Sequence, residues 1–168
     1  TNSQRSGLYP WQQVPVLLKF PSSMDTLNNG LKKTVLLSSS PLAKIIGTPS
    51  NIALSEIAEE PDKSSFIDAN TIFGVLLEGP FKSAYEARIM PFDYPDFRAG
   101  GIENKMIVIS DGDVGLNEIM RGEPLPLNKD KWTSQNYGNA DLLLNSIHFL
   151  LDDNGLMKLR SKSLQIQF

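Results

Sequence analysis

KMIVISDGDVGLNE, residues 105–118, runs from an unbroken apolar segment into a turn that carries two aspartates. Met106 to Ile109 contains no polar residue, the composition of a strand covered on both faces, which predicts a central place in a sheet and not an edge. Ser110, Asp111 and Asp113 then fall just beyond the carboxyl end of that strand, where open α/β sheets gather ligands. Asp-Gly is also a favoured turn pair in its own right, because aspartate bonds its own backbone and glycine accepts positive φ. The two acids either serve a ligand or shape the chain.

Spacing argues against a metal. A calcium loop of the EF-hand type needs glycine at its sixth position and a carboxylate at its twelfth; counted from Asp111 these are Leu116 and Gly122. Magnesium sites usually borrow substrate phosphates, and neither GxxxxGK[ST] nor GxGxxG occurs in the chain. Ser110, Asp111 and Asp113 stand as the candidate ligand-binding residues, with turn formation as the competing role. No metal, cofactor or catalytic residue is expected.

Outward from this stretch, VPVLLKF (14–20) is a short apolar run in which Pro15 favours an edge or a strand start. LKKTVLLSSS (31–40) reads as a strand stopped by serines, and NIALSEI (51–57) as a half-exposed strand. A polar loop over 58–70 precedes TIFGVLLEG (71–79), a strand covered on both faces and ended by Gly79-Pro80. FKSAYEAR (81–88) is weakly helical, 90–104 an irregular Pro/Gly loop, and 120–138 a second loop. ADLLLNSIHFLLDDNG (140–155) is the strong helix: Asn139 caps it, Asp141 favours the positive end of its dipole, and Asn154-Gly155 stops it. Its predicted buried stripe is Leu143, Ile147, Leu150 and Leu151, widened by Leu142 and Leu144. SLQIQF (163–168) alternates as a final strand would.

Composition bounds the rest. A chain of 168 residues with 40% hydrophobic residues and net charge −3 sustains a core without staples. No cysteine is present, which excludes a disulfide scaffold, thiol catalysis and cysteine-type zinc sites. The acidic balance argues against general nucleic-acid binding, which needs a basic field. No apolar run reaches the length of a membrane span and no leader is visible; the expectation is one soluble α/β domain over 1–168, a fragment of something longer.

Other candidates have structural readings beside the functional ones. His148, the single histidine, lies inside the helix and has no GxSxG elbow to serve. Ser83 has no evident base. Glu78 and Glu86 would suit acid–base work on a glycoside only at a defined separation. Tyr9, Trp11, Phe92, Tyr94, Phe97, Trp132 and Tyr137 either cover the core under loops or make a sugar- or peptide-binding edge.

Several stretches together are similar to one family. LEGPFKSAYEARI (77–89), NKMIVISDGDVGLNEI (104–119), PLPLNKDKWTSQNYGNADLLLNSIHFLLDD (124–153), GLMKLRSKSLQI (155–166) and MDTLNNGLKKTVLLSSSPLAKIIGTPSNIALSEIAEEPD (24–62) resemble the GldG family of gliding-motility proteins of Bacteroidetes, the auxiliary, substrate-binding-like component of an ABC transporter. The resemblance implies an α/β fold, a Rossmann-like layered sheet, mostly parallel or mixed, with helices, forming the C-terminal part of a larger auxiliary-transport domain. It implies a place on the periplasmic side of the inner membrane, with membrane attachment through segments outside this chain. It implies ATP-binding and permease subunits as partners, and it brings no catalytic residues. The expected function is a non-enzymatic interaction domain; a small-molecule or glycan binding module is the alternative, and a hydrolase using an aspartate or His148 is a distant third.

Overall fold

The computed structural model describes residues 14–51 and 62–152. Three strands make the main sheet: β1 (Lys32–Ser38), β2 (Ile72–Lys82) and β3 (Gly100–Ile109), in the order β1-β2-β3. A two-residue-stranded hairpin, β4 (Ile119–Met120) and β5 (Glu123–Pro124), follows, and then the helix α1 (Asn139–Leu151). The class is α/β, as the sequence predicts. Every described strand pair is antiparallel, so the mostly parallel, Rossmann-like arrangement is not seen among the described residues. The physical reason lies in the connections: β2 and β3 are joined by a 17-residue loop with no crossover helix, and parallel neighbours need such a crossover. The strands predicted over 51–57 and 163–168 lie wholly or almost wholly outside the described residues.

β2, not β3, is the central strand. Its Phe73–Leu76 segment is buried, which fits the continuous apolar run read there. β3 is an edge strand among the described residues, and Met106 and Val108 remain 47% and 38% exposed on one face while Ile107 and Ile109 pack against the core on the other. An all-apolar run predicts burial on both faces, yet here one of its faces stays open.

β2 also continues through Gly79-Pro80, with Pro80 opposite Glu103 and Lys82 opposite Gly100. The β1 register ends at Lys32↔Glu78, so residues 79–82 pair only with β3, the edge situation that tolerates a residue without an N–H. Glycines 100 and 101 therefore belong to a strand and not to the loop, which covers 83–99. FKSAYEAR is strand and then consecutive turns: the N–H of Glu86 bonds the carbonyl of Ser83 (3.1 Å) and that of Arg88 the carbonyl of Tyr85 (3.2 Å). Too few residues remain after Lys82 to nucleate a helix.

β1 carries a bulge. The register steps from Val35↔Val75 to Leu37↔Gly74, inserting Leu36 as an extra residue. Strict alternation would send Leu36 and Leu37 to opposite faces; with the bulge both are buried in the same cluster as Val16, Leu18, Phe73, Leu76, Leu142 and Phe149. Gly74 makes the room, since a Cβ there would meet the Leu37 side chain at 3.0 Å. Just past the strand's end stands Ser39, whose hydroxyl accepts from the N–H of Thr71 (3.0 Å) while its own N–H bonds the Thr71 carbonyl (2.8 Å).

The helix presents a different face from the one predicted. Asn139, Leu142, Ser146 and Phe149 are buried, at spacings of three and four, whereas Leu144, Ile147 and Leu151 are exposed. Gly138 is the N-cap and makes no side-chain cap bond. Asn139 is instead spent on a distant strand-like segment: its Oδ1 accepts from the N–H of Leu17 (2.9 Å), and its Nδ2 donates to the carbonyls of Leu17 (2.8 Å) and Val114 (3.3 Å). The amide thereby imitates a neighbouring strand at Leu17, while Val16 and Leu18 on either side enter the core. At the other end Lys105 donates to the carbonyls of Phe149 (3.4 Å) and Asp152 (2.9 Å) and lies 5.0 Å from the Phe149 ring centroid. A cation at the carbonyl end of a helix is favourably placed.

Candidate functional site

In the turn after β3, one of the two acids, Asp111, is spent on backbone N–H groups. Asp111 is buried, at 6% exposure. Its Oδ1 accepts from the N–H of Asp113 at 2.8 Å, and its Oδ2 accepts from the N–H of Lys19. Asp111 is thus the cap of a 3-10 turn over Gly112–Gly115, closed by the N–H of Leu116 on the carbonyl of Asp113 at 2.9 Å. Ser110 extends the ladder: its N–H and hydroxyl both donate to the carbonyl of Phe73 (2.9 and 3.3 Å), and its carbonyl accepts from Ser22 (3.1 Å). Of the three candidates, Ser110 and Asp111 are thus engaged with main chain, and Asp113 alone lines the cleft beside the turn.

That cleft lies between the turn, the residue-19 segment and the loop after β5, and Lys19, Glu118, Asp130 and Tyr137 are among the residues that line it. It holds about 20 Å³, room for roughly one water and far short of the several hundred Å³ of a typical organic-ligand pocket.

Its electrostatics come from internal pairing. The ammonium of Lys19 bonds Glu118 Oε1, and Glu118 Oε2 accepts from the N–H of Lys131 at 2.6 Å. The Lys19 bond above all, with the Lys131 N–H, holds the Glu118 carboxyl below its ordinary range against the opposing cost of burial. Asp130 is buried and receives both the hydroxyl (2.6 Å) and the N–H (2.8 Å) of Thr133, which lower its pKa. Carboxyls stabilised in this way stay charged at neutral pH and are poorly matched to donating a proton there. No group of three or more His, Cys, Asp or Glu side chains placed to hold a metal occurs among the described residues.

Lys19, Glu118, Asp130 and Thr133 were not singled out by the sequence reading. Asp130 had a readable signal, an acid followed three residues later by threonine in a polar loop, the spacing of a local cap. Lys19 and Glu118 had none, being 99 positions apart. The remaining candidates separate: Glu78 pairs with Lys32 (2.7 Å), Glu86 with Lys82 (3.2 Å), His148 is exposed on α1, and the Ser83 hydroxyl accepts from the N–H of Tyr85 (3.1 Å). Phe92, Tyr94 and Trp132 are exposed.

The fold and the turn define the class: an α/β unit in which Asp111 is bonded to main chain beside a cleft the size of a water. The particular family follows from comparison: the model of the ABC-type uncharacterized transport system family, auxiliary components of ABC transporters, matches residues 13–146. The chain belongs to that family and is an auxiliary domain of an ABC transport system. No curated protein and no solved structure matches it.

Proposed function

We propose that the chain is the gliding-motility kind of auxiliary component, a periplasmic domain of a membrane-anchored Bacteroidetes protein. It acts by holding the ATP-binding and permease subunits of its transporter and performs no catalysis. Family membership over residues 13–146 carries this reading. The resemblance of residues 77–89, 104–119 and 124–153 to gliding-motility proteins supports the finer assignment. The internal use of Asp111, Glu118 and Asp130 supports action through surfaces.

The test is purification of the tagged, full-length protein from membranes in mild detergent. Both transporter subunits should co-purify in fixed ratio, and deletion of the gene should stop colony spreading. Recovery of the intact transporter without this protein, with spreading unimpaired, refutes the proposal. A thermal-shift series with metals, nucleotides and sugars covers the binding-module alternative, since a ligand at a hundred times its Kd adds about 2.7 kcal/mol to stability.

A further inference from the structure

One side of β3 is unpaired among the described residues. Main-chain groups point alternately to the two sides of a strand. The N–H of Ser110 meets the Phe73 carbonyl of β2 (2.9 Å), and the N–H of Lys105 turns the other way, onto Asn104 Oδ1 (2.8 Å). The main-chain groups of Glu103, Lys105, Ile107 and Ile109 therefore face outward, and no strand pairs with them among the described residues.

The usual guards of such an edge are missing. No proline interrupts Gly100–Ile109, and the register with β2 advances one residue at a time from Ile102 to Ile109, without a bulge. The ammonium of Lys105 is drawn back onto the carbonyls of Phe149 and Asp152 (3.4 and 2.9 Å). An open, unbroken edge of this kind is a template for a further strand.

The order of residues along β3 says which strand fits. Glu103 and Lys105, its two charged residues, flank Asn104, with Ile102 and Met106 outside them. A second β3 laid antiparallel about a twofold axis at Asn104 puts Glu103 of each copy opposite Lys105 of the other, in main-chain hydrogen-bonded pairs. Ile102 of each copy falls opposite Met106 of the other, in the closer non-bonded pairs, on the face where both are about half exposed (53% and 47%). Moving the axis to Glu103 or to Lys105 sets like charges against each other, which opposes pairing. The neighbouring charges leave this choice standing. Glu78, opposite Lys105 in β2, is paired with Lys32, and Lys82, diagonal to Glu103, is paired with Glu86. Arg98 and Asp111 lie past the two ends of the strand, and Asp111 is spent on main chain.

We propose that β3 pairs edge to edge with β3 of a second copy, antiparallel about Asn104, joining two three-stranded sheets into one. A twofold contact of this kind uses the same surface on both copies and closes on itself, so assembly stops at a dimer. The inference is independent of the transporter partners named above.

Residues 1–168 contain no cysteine, so cross-linking in the full-length protein, with any cysteine elsewhere replaced by serine, reports the register. Asn104→Cys stands across the axis from itself, at the Cβ separation of roughly 4.5–5.5 Å of opposed residues, and should oxidise to a disulfide-linked dimer. Val108→Cys, level with Gly100 of the second copy, should not. Sedimentation should show the parent as a dimer. Glu103→Lys and Lys105→Glu should each weaken self-association about tenfold or more by opposing like charges. An equimolar mixture of the two variants should recover it, because each copy then offers the charge that the other lacks. Urea unfolding checks that both variants fold; if Lys105→Glu does not, Glu103→Lys and Asn104→Cys decide. Self-association that Glu103→Lys leaves intact, or a cross-link at Val108→Cys and not at Asn104→Cys, overturns the proposal. A monomeric parent overturns it as well: slow hydrogen exchange of the Ile107 and Ile109 amides in that monomer assigns the edge to another part of the same chain, and fast exchange leaves it uncovered.

Discussion

Replacing Asn139 tests whether its amide serves the helix or the segment at Leu17. Asn139 is 6% exposed and makes three bonds, one accepted from the N–H of Leu17 and two donated, to the carbonyls of Leu17 and Val114. Asn139→Ala removes three bonds of about 1 kcal/mol each and leaves buried main-chain groups unpaired, so the loss should be about 3 kcal/mol. For a chain of this size that lowers the Tm by roughly 6–12 °C. Asn139→Asp is the sharper variant, because aspartate suits the first turn of a helix and its charge favours the dipole. Here, however, it would set a second oxygen against the carbonyl oxygens of Leu17 and Val114, so it should cost at least as much as alanine. Urea unfolding followed by circular dichroism at pH 7 gives both values, with the m-value checking that the unfolding transition is unchanged. An aspartate variant as stable as the parent would refute the assigned role.

Three further outcomes follow from the packing and the charges. Glu118 and Asp130 have folded-state pKa values below their ordinary 4.5 and 3.8; their contribution is whole above those ordinary values and is lost as pH falls through the depressed ones. Acid titration of stability should therefore steepen below about pH 4.5, and Glu118→Gln should flatten that slope. Gly74→Val would press on Leu37 at 3.0 Å and should cost about 1–3 kcal/mol by overpacking, read by thermal unfolding. Arg121→Asn should stabilise by up to about 1 kcal/mol in the same assay, since Arg121 and Gly122 both have positive φ (53° and 87°) in a hairpin turn that asparagine enters more cheaply.

The three main strands were legible because Val35–Leu37, Phe73–Leu77 and Met106–Ile109 are apolar and branched. Their order was not, because burial of a strand depends on what lies over each face. The helix shows the same division. Its existence follows from composition, although it runs Asn139–Leu151 with Asp152 as C-cap and the predicted Asn154-Gly155 stop lies outside the described residues; with leucine or isoleucine at 142, 143, 144, 147, 150 and 151 several stripes satisfy helical spacing. The position of β3 and of residues 14–20 selects the stripe with Ser146 in it. Asn139 reads equally as a cap, and only the nearness of Leu17 redirects it. At the turn, the bond of Asp111 to its own backbone was legible, but Gly112 does not take positive φ, and the second donor to Asp111, the Lys19 N–H, comes from 92 positions away.

The bonds between Leu17 and Asn139 join positions separated by 122 residues, and they bear on the order in which the molecule assembles. Val16 and Leu18 share their cluster with Leu142 and Phe149 of α1, so their seating waits on a helix far along the chain. Closing so large a ring is entropically slow and is rewarded only near completion. Until that ring closes, Leu36, Leu37, Phe73 and Leu76 of the β1–β2–β3 meander lack their cover, a greasy strip left for whichever holdase reaches it first.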